Sequence, residues 1–170
     1  MPTYQLISSV TVGSGGAATM AFTSIPSTYT DLLVKVSARS LISANEDDLR
    51  VRFNSDSGNN YVFRSLYGTG TGAGSSTGTI SFAYMGVING ANFTANTFAN
   101  NTMYIPNYAG STTKSVSVDS VDENNATGAS ALFVANNWTG TAAINAITIS
   151  AAGANLAQYS TAYLYGISSS

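Results

Sequence analysis

Apolar residues in this 170-residue chain recur at every second position. The clearest case is residues 49–53, where Leu49, Val51 and Phe53 alternate with Arg50 and Arg52. Successive side chains of a β-strand point to opposite faces, so this period places the apolar residues on one face and the arginines on the other. No stretch of the sequence carries the 3.6-residue spacing of an amphipathic helix. The pattern therefore predicts an all-β fold.

Similar alternation marks further strands, and clusters of Gly, Asn, Ser and Pro separate them. The predicted strands cover residues 4–12, 18–22, 31–39, 49–53, 61–67, 80–84, 98–105, 114–121, 129–138, 143–151 and 161–167. Many short strands divided by turns, without a repeat or a linker, are typical of a β-sandwich. We therefore predict one antiparallel β-sandwich domain spanning residues 1–170.

Charged residues make up only 8% of the chain, against roughly 25% in an average soluble domain. Ser, Thr and Asn must supply the polar surface, and a net charge of -2 gives little repulsion between copies. We therefore expect self-association. Six basic residues offer little for binding phosphates, so no nucleic-acid partner is expected. No apolar run reaches the ~20 residues of a membrane span, and the N-terminal sequence lacks the features of a signal peptide.

The side chains that usually drive catalysis are scarce, since the chain has neither His nor Cys. A serine nucleophile would lack its usual base, and Lys35 and Lys114 are predicted at exposed strand positions. Carboxylates occur in two groups, 46–48 and 119–123, both interpreted as solvated charges at strand ends. A carboxylate-dependent depolymerase stays open as a minor alternative. We predict no catalytic residue, no cofactor and no enzymatic activity.

Two loops and one turn are singled out by composition. Residues 54–60 carry Asn54, Asp56 and Asn60, which suit an Asx-rich hairpin turn; calcium binding is the weaker reading, because the spacing of an EF-hand is missing. Residues 68–78 contain only Gly, Ser, Thr and Ala and are predicted to form a flexible loop. Together with residues 89–95, this loop is predicted to contact a partner.

Aromatic side chains near loops are the candidates for binding. Tyrosine combines an apolar ring with a polar tip and so suits both sugar stacking and protein interfaces. The predicted binding patch consists of Tyr104, Tyr108, Trp138 and Tyr159. Their alternative role is that of ordinary core residues whose polar tips reach solvent.

Three stretches together resemble small virion proteins of marine and freshwater tailed bacteriophages. They are the opening YQLISSVTVGSGGAATMAFTSIPSTYTDLLVKVSARS, the central MYIPNYAGSTTKSVSVDSVDENNAT and the closing INAITISAAGANLAQYSTAYLYGI. The closing Leu-Tyr-Gly-Ile, at 164–167, also resembles the ends of phage tail-fibre and decoration domains. The resemblance carries no catalytic motif. It implies a jelly-roll-like sandwich that forms an oligomer, often a trimer, on the outside of a virion.

The leading hypothesis is a capsid decoration, or cement, protein that binds the major capsid protein on the assembled head. Such a protein would be made in the host cytoplasm and end in the virion. The alternative is a tail-fibre or receptor-binding protein that recognises host glycans. Low charge, aromatic side chains and amide-rich loops suit this second role.

Overall fold

The computed structural model of the chain describes residues 3–124, 126 and 128–168. These residues form two antiparallel β-sheets and contain no helix, which confirms the predicted all-β sandwich. No helix able to cross a membrane is present among them. The twelve strands of the described residues are β1 (Thr3–Thr11), β2 (Met20–Phe22), β3 (Asp31–Ala38), β4 (Glu46–Phe53), β5 (Tyr61–Gly68), β6 (Ala73–Ile80), β7 (Ala83–Asn89), β8 (Ala99–Pro106), β9 (Lys114–Glu123), β10 (Ala129–Trp138), β11 (Ile147–Ala151) and β12 (Thr161–Ser168).

The order of the strands is that of a jelly roll with additions. One sheet has the order β1-β12-β3-β8-β9-β10-β5-β6, and the other has the order β2-β11-β4-β7. The connections β1–β2, β3–β4, β7–β8 and β11–β12 each cross from one sheet to the other, as in the double Greek key of a jelly roll. The jelly-roll topology implied by the resemblance is therefore present.

Four strands extend this jelly roll on one side. The β5–β6 hairpin lies between β4 and β7 in the chain, and the β9–β10 hairpin lies between β8 and β11. All four join the larger sheet, next to β8. The smaller sheet has only four strands, and β6 makes its main contacts with β5 alone. The β5–β6 hairpin therefore projects beyond the part of the sandwich that two layers cover.

Alternate residues of both sheets meet in one hydrophobic core. Phe53, Tyr61 and Trp138 form its aromatic end, with ring centroids 5.6–6.3 Å apart. The indole Nε1 of Trp138 donates a hydrogen bond to Asp56 Oδ2 at 2.7 Å, which satisfies its polar atom and lowers the pKa of Asp56. Burial raises the pKa of the Tyr61 hydroxyl to about 12.

Backbone groups of the edge strand β7 form hydrogen bonds with side chains of the other sheet instead of with a further strand. Asn136 of β10 accepts a hydrogen bond from Tyr84 N at 2.9 Å and donates one to Tyr84 O at 3.0 Å. Asn101 of β8 donates to the carbonyls of Met85 and Val87. These amides satisfy backbone groups that an edge strand would leave open, and they fix the smaller sheet against the larger one.

Most predicted strands overlap strands of the structure, and the differences lie between residues 68 and 89. The predicted strand 80–84 is interrupted, because β6 ends at Ile80, residues 81–82 form a bend, and β7 runs from Ala83 to Asn89. The sequence predicts a flexible loop over residues 68–78, but Ala73–Ile80 is strand β6, paired with β5 along its full length. Its sequence, AGSSTGTI, has no alternating apolar residues, because neither face of this strand is buried in the core. The backbone pairing alone makes it a strand, and only residues 69–72 remain as the turn.

Lys114 was predicted to be exposed, and the structure buries it completely. Its Nζ donates hydrogen bonds to three backbone carbonyls, those of Gly110, Thr112 and Ala142, at 2.8, 2.5 and 3.2 Å. The ammonium also lies 5.8 Å from the centre of the Trp138 ring. Burial lowers the pKa of Lys114. The lysine therefore joins two loops at one end of the sandwich instead of lying on the surface.

Candidate functional site

The structure does not bring the four aromatic residues of the predicted patch together at the surface. Tyr108 is fully buried, and its hydroxyl donates a hydrogen bond to the carbonyl of Pro26. Trp138 is 3% exposed and belongs to the aromatic end of the core. Both residues therefore have the alternative role, that of core residues, and the polar atom of each side chain is hydrogen-bonded.

Tyr104 and Tyr159 are exposed but lie apart. Tyr104 is on β8, on the outer face of the larger sheet, and its hydroxyl donates to Asp31 Oδ2 at 2.8 Å. Tyr159 precedes β12, which starts beside Ser37, whereas Tyr104 pairs with Leu33 at the other end of β3. The two tyrosines therefore cannot contact one small ligand.

The outer face of the larger sheet carries an apolar patch instead. Leu66 of β5 and Phe133 of β10 are direct cross-strand partners, and they are 64% and 58% exposed. Val121 of β9 and Ala131 of β10 are partners in the next row and are exposed as well. We call these four residues the outer patch. All lie on strands that were added to the jelly roll.

A second candidate is a cleft on the opposite side of the β5–β6 hairpin. It has a volume of about 360 Å³ and lies in the corner between the inner face of this hairpin and the outer side of the β4–β7 pair. We call it the corner cleft. Phe63, Tyr67 and Ser76 line one wall, and Asp48 and Tyr84 line the other.

The aromatic side chains of the corner cleft lie across glycines of the neighbouring strand. The Tyr67 ring lies over Gly74, where an added Cβ would sit 2.6 Å from its Cζ atom. The Phe63 ring likewise lies over Gly78, 2.9 Å from an added Cβ. Tyr67 is 41% exposed, so its ring is open to the cleft, whereas the Phe63 ring also contacts Tyr84, with ring centroids 5.4 Å apart.

One carboxylate, Asp48, lines the corner cleft, and its charge interacts with that of Glu46. Burial raises the pKa of Asp48, the repulsion of Asp47 adds to this shift, and Arg50 opposes it. Burial also raises the pKa of Glu46, with further contributions from the charge of Asp122 and a hydrogen bond to it. The Tyr84 hydroxyl bonds with Asp48, and its own pKa is raised, mainly by burial.

The structure corrects the prediction that both acidic groups are solvated. Asp47 is 6% exposed, and it accepts hydrogen bonds from Ser40 Oγ and from the backbone of Gly153. Asp122 is 1% exposed, its Oδ1 accepts a hydrogen bond from Ser130, and its side chain is hydrogen-bonded with that of Glu46.

The described residues contain no group of three or more acidic side chains placed to hold a metal ion. In the turn over residues 54–60, side-chain oxygens bond within the protein. Asp56 Oδ1 accepts from Gly58 N and from Asn60, and Asn54 Oδ1 accepts from the backbone of Asn145. These bonds confirm an Asx-rich turn, but the predicted hairpin is wrong, because β4 and β5 lie in different sheets and do not pair.

Comparison with protein-family models, with curated proteins and with solved structures found no match. The functional argument therefore depends on the two surfaces, the outer patch and the corner cleft. Sequence reasoning missed both of them. Residues 61–67 do show a usable signal, because Tyr61, Phe63 and Tyr67 share one face of β5 and Leu66 lies on the other. Only the strand pairing reveals that Leu66 lies beside Phe133 and that Tyr67 borders a cleft.

Proposed function

We propose that this protein is a non-enzymatic structural protein of a tailed-phage virion, which binds the outside of the assembled head through its outer patch. The observation that carries the proposal is the direct pairing of Leu66 with Phe133, both more than half exposed, on the outer face of the larger sheet. Isolated exposed apolar residues are ordinary, but a contiguous patch marks an interaction surface.

The environment of the outer patch favours a protein partner. Asp119 pairs with Phe133, and Arg64 lies one row from it, so an apolar centre is bordered by one charge of each sign. Interfaces between proteins have this arrangement of apolar centre and polar rim. Jelly rolls are also frequent in viral capsid domains, which supports the proposal as a fold-level analogy.

The energy available from the outer patch suits repeated, individually weak contacts. Full burial of a Leu or Phe side chain contributes roughly 1.5–3 kcal/mol, so covering the exposed parts of Leu66 and Phe133 yields about 2–4 kcal/mol per copy. A trimer that contacts three equivalent sites multiplies this contribution. Binding only the mature lattice then stabilises that lattice by mass action.

The test is a binding assay with expanded heads that lack the protein. We expect the purified protein to bind at high copy number and to raise the temperature at which the heads open. The double variant Leu66→Ser and Phe133→Ser should lose binding, while Tyr159→Ser, equally exposed but away from the patch, should keep it. Absence of the protein from heads that were separated from tails refutes the proposal.

Self-association is part of the same proposal and is measured separately. Analytical ultracentrifugation of the purified protein should show a trimer. A stable monomer at the concentration that occurs on the virion would contradict the trimer, while the binding assay still decides attachment to the head.

A further inference from the structure

The corner cleft contains one aromatic ring with an exposed face, that of Tyr67, which is 41% exposed. This ring rests on Gly74 of β6, so it lies close to the sheet. Phe63 lies four residues away on β5, about 13 Å along the strand, where its ring contacts that of Tyr84 at 5.4 Å between centroids. An extended ligand could therefore stack on Tyr67 and reach the Phe63–Tyr84 pair with its other end.

Polar groups face the ligand space between and opposite the two rings. Ser65 and Ser76 are cross-strand partners midway between Phe63 and Tyr67, and both line the cleft. Asp48 and Tyr84 form the opposite wall. A ligand that stacks on Tyr67 can thus form hydrogen bonds with hydroxyls on the same wall and with a carboxylate on the opposite wall.

The charges around the corner cleft select among ligands with these features. Asp48 lines it, and the charges of Glu46 and Asp122 act on Tyr84, which lines it as well. Arg50 is the cation that interacts with Asp48, and its guanidinium lies 4.5 Å from the centre of the Phe82 ring. An anionic ligand is repelled by this set of carboxylates, whereas a neutral hydroxyl can donate a hydrogen bond to them.

We propose that the corner cleft binds a neutral oligosaccharide. The apolar C–H face of one sugar ring stacks on Tyr67, and the rest of the oligosaccharide extends along the cleft toward the Phe63–Tyr84 pair. Sugar hydroxyls bond with Ser76 and Asp48. The volume of about 360 Å³ lies within the range of small-ligand pockets. The site lies on the opposite face of the hairpin from the outer patch, so it does not depend on attachment to the head.

The proposal revises the glycan-binding alternative drawn from the sequence. Its predicted residues, Tyr108 and Trp138, are buried, and the structure provides Phe63 and Tyr67 in their place. A protein fixed to the virion by one face of β5 would present the other face to the surroundings. It could then hold the particle at a surface rich in neutral glycans.

The experiment is an NMR titration of the ¹⁵N-labelled protein with three probes, maltotriose, chitotriose and trigalacturonate. We expect at least one of the two neutral probes to shift the amide signals of residues 63–67 and 74–78, with a Kd of about 1 mM or tighter. The acidic trigalacturonate should leave them unchanged. The variant Tyr67→Ala should weaken binding at least about tenfold, the equivalent of ~1.4 kcal/mol.

A matched control and a second variant separate binding from folding. Tyr163→Ala removes a tyrosine of similar exposure on the distant strand β12 and should leave the titration unchanged. Gly74→Ala keeps the tyrosine but displaces its ring from the sheet, and should weaken binding like Tyr67→Ala. Circular dichroism confirms that each variant is folded.

Three results would overturn the proposal. They are no shift with either neutral probe at concentrations well above about 1 mM, equal binding of trigalacturonate, or undiminished binding by Tyr67→Ala. None of these results affects the head-binding assay, which measures binding through the outer patch.

Discussion

Replacement of the buried Lys114 by methionine tests how the loops at one end of the sandwich are held. Methionine keeps most of the length and apolar volume of the lysine side chain and removes the ammonium. Three hydrogen bonds from Nζ, to the carbonyls of Gly110, Thr112 and Ala142, are then lost. Their loss, and not the loss of packing, is what the variant measures.

The expected magnitude follows from these contacts. A hydrogen bond with a charged partner contributes roughly 1.5–3 kcal/mol, so three contribute about 5–9 kcal/mol in total. Burying the ammonium costs several kcal/mol, and this cost disappears in the variant. We therefore expect Lys114→Met to lower the free energy of unfolding by about 2–4 kcal/mol. At roughly 2–4 °C per kcal/mol for a chain of this size, Tm falls by about 5–15 °C.

The assay is urea unfolding followed by the fluorescence of Trp138, the single tryptophan, whose ring lies beside the ammonium. Lys35→Met is the matched control, because Lys35 is an exposed lysine in the middle of β3. It should change stability by less than about 0.5 kcal/mol. If the two variants prove equally stable, the bonds of the buried ammonium merely offset its desolvation, and the structural role assigned to it is wrong.

Two further predictions concern the edge of the smaller sheet. Glu46 has a raised pKa, so the folded protein keeps this proton where the unfolded chain has lost it, and the resulting stability is lost as pH rises through the raised value. Glu46→Gln should therefore raise Tm at neutral pH but not below the ordinary pKa of 4.5, which thermal unfolding at both pH values checks. Asn136→Ala should cost about 1–3 kcal/mol and speed hydrogen exchange at the Tyr84 amide, because both bonds of the amide to β7 are lost. Asn137→Ala, one residue along β10, should leave that exchange rate unchanged.

The sequence predicted the fold well because most strands bury one face. Wherever a strand packs against the core, as β4 does with Leu49, Val51 and Phe53, the pattern of burial appears directly as a period of two. Strand β6 escaped prediction because it has no buried face, and its place in the sheet depends on hydrogen bonds that any residue can make. Residue type alone could not distinguish it from a loop.

The candidate surfaces were harder to predict because they depend on which strands are neighbours. Leu66 and Phe133 are 67 positions apart, and only the β5–β10 pairing brings them together. Lys114 and Asp122 were assigned to the surface on charge alone. The structure gives Lys114 three carbonyl partners and gives Asp122 a serine, and such partners are what permit buried charge. These partners lie in loops or on adjacent strands, so alternation cannot reveal them.

The placement of the β5–β6 hairpin has a consequence for how this protein can diversify. The hairpin leaves the jelly roll after β4 and returns to it at β7, and β4 and β7 are themselves paired, with Val51 opposite Ala83. The direct pairing of β4 with β7 thus keeps these jelly-roll strands in register on both sides of the inserted hairpin. The exposed positions of the hairpin, such as Leu66, can therefore change while the scaffold strands keep their own alignment.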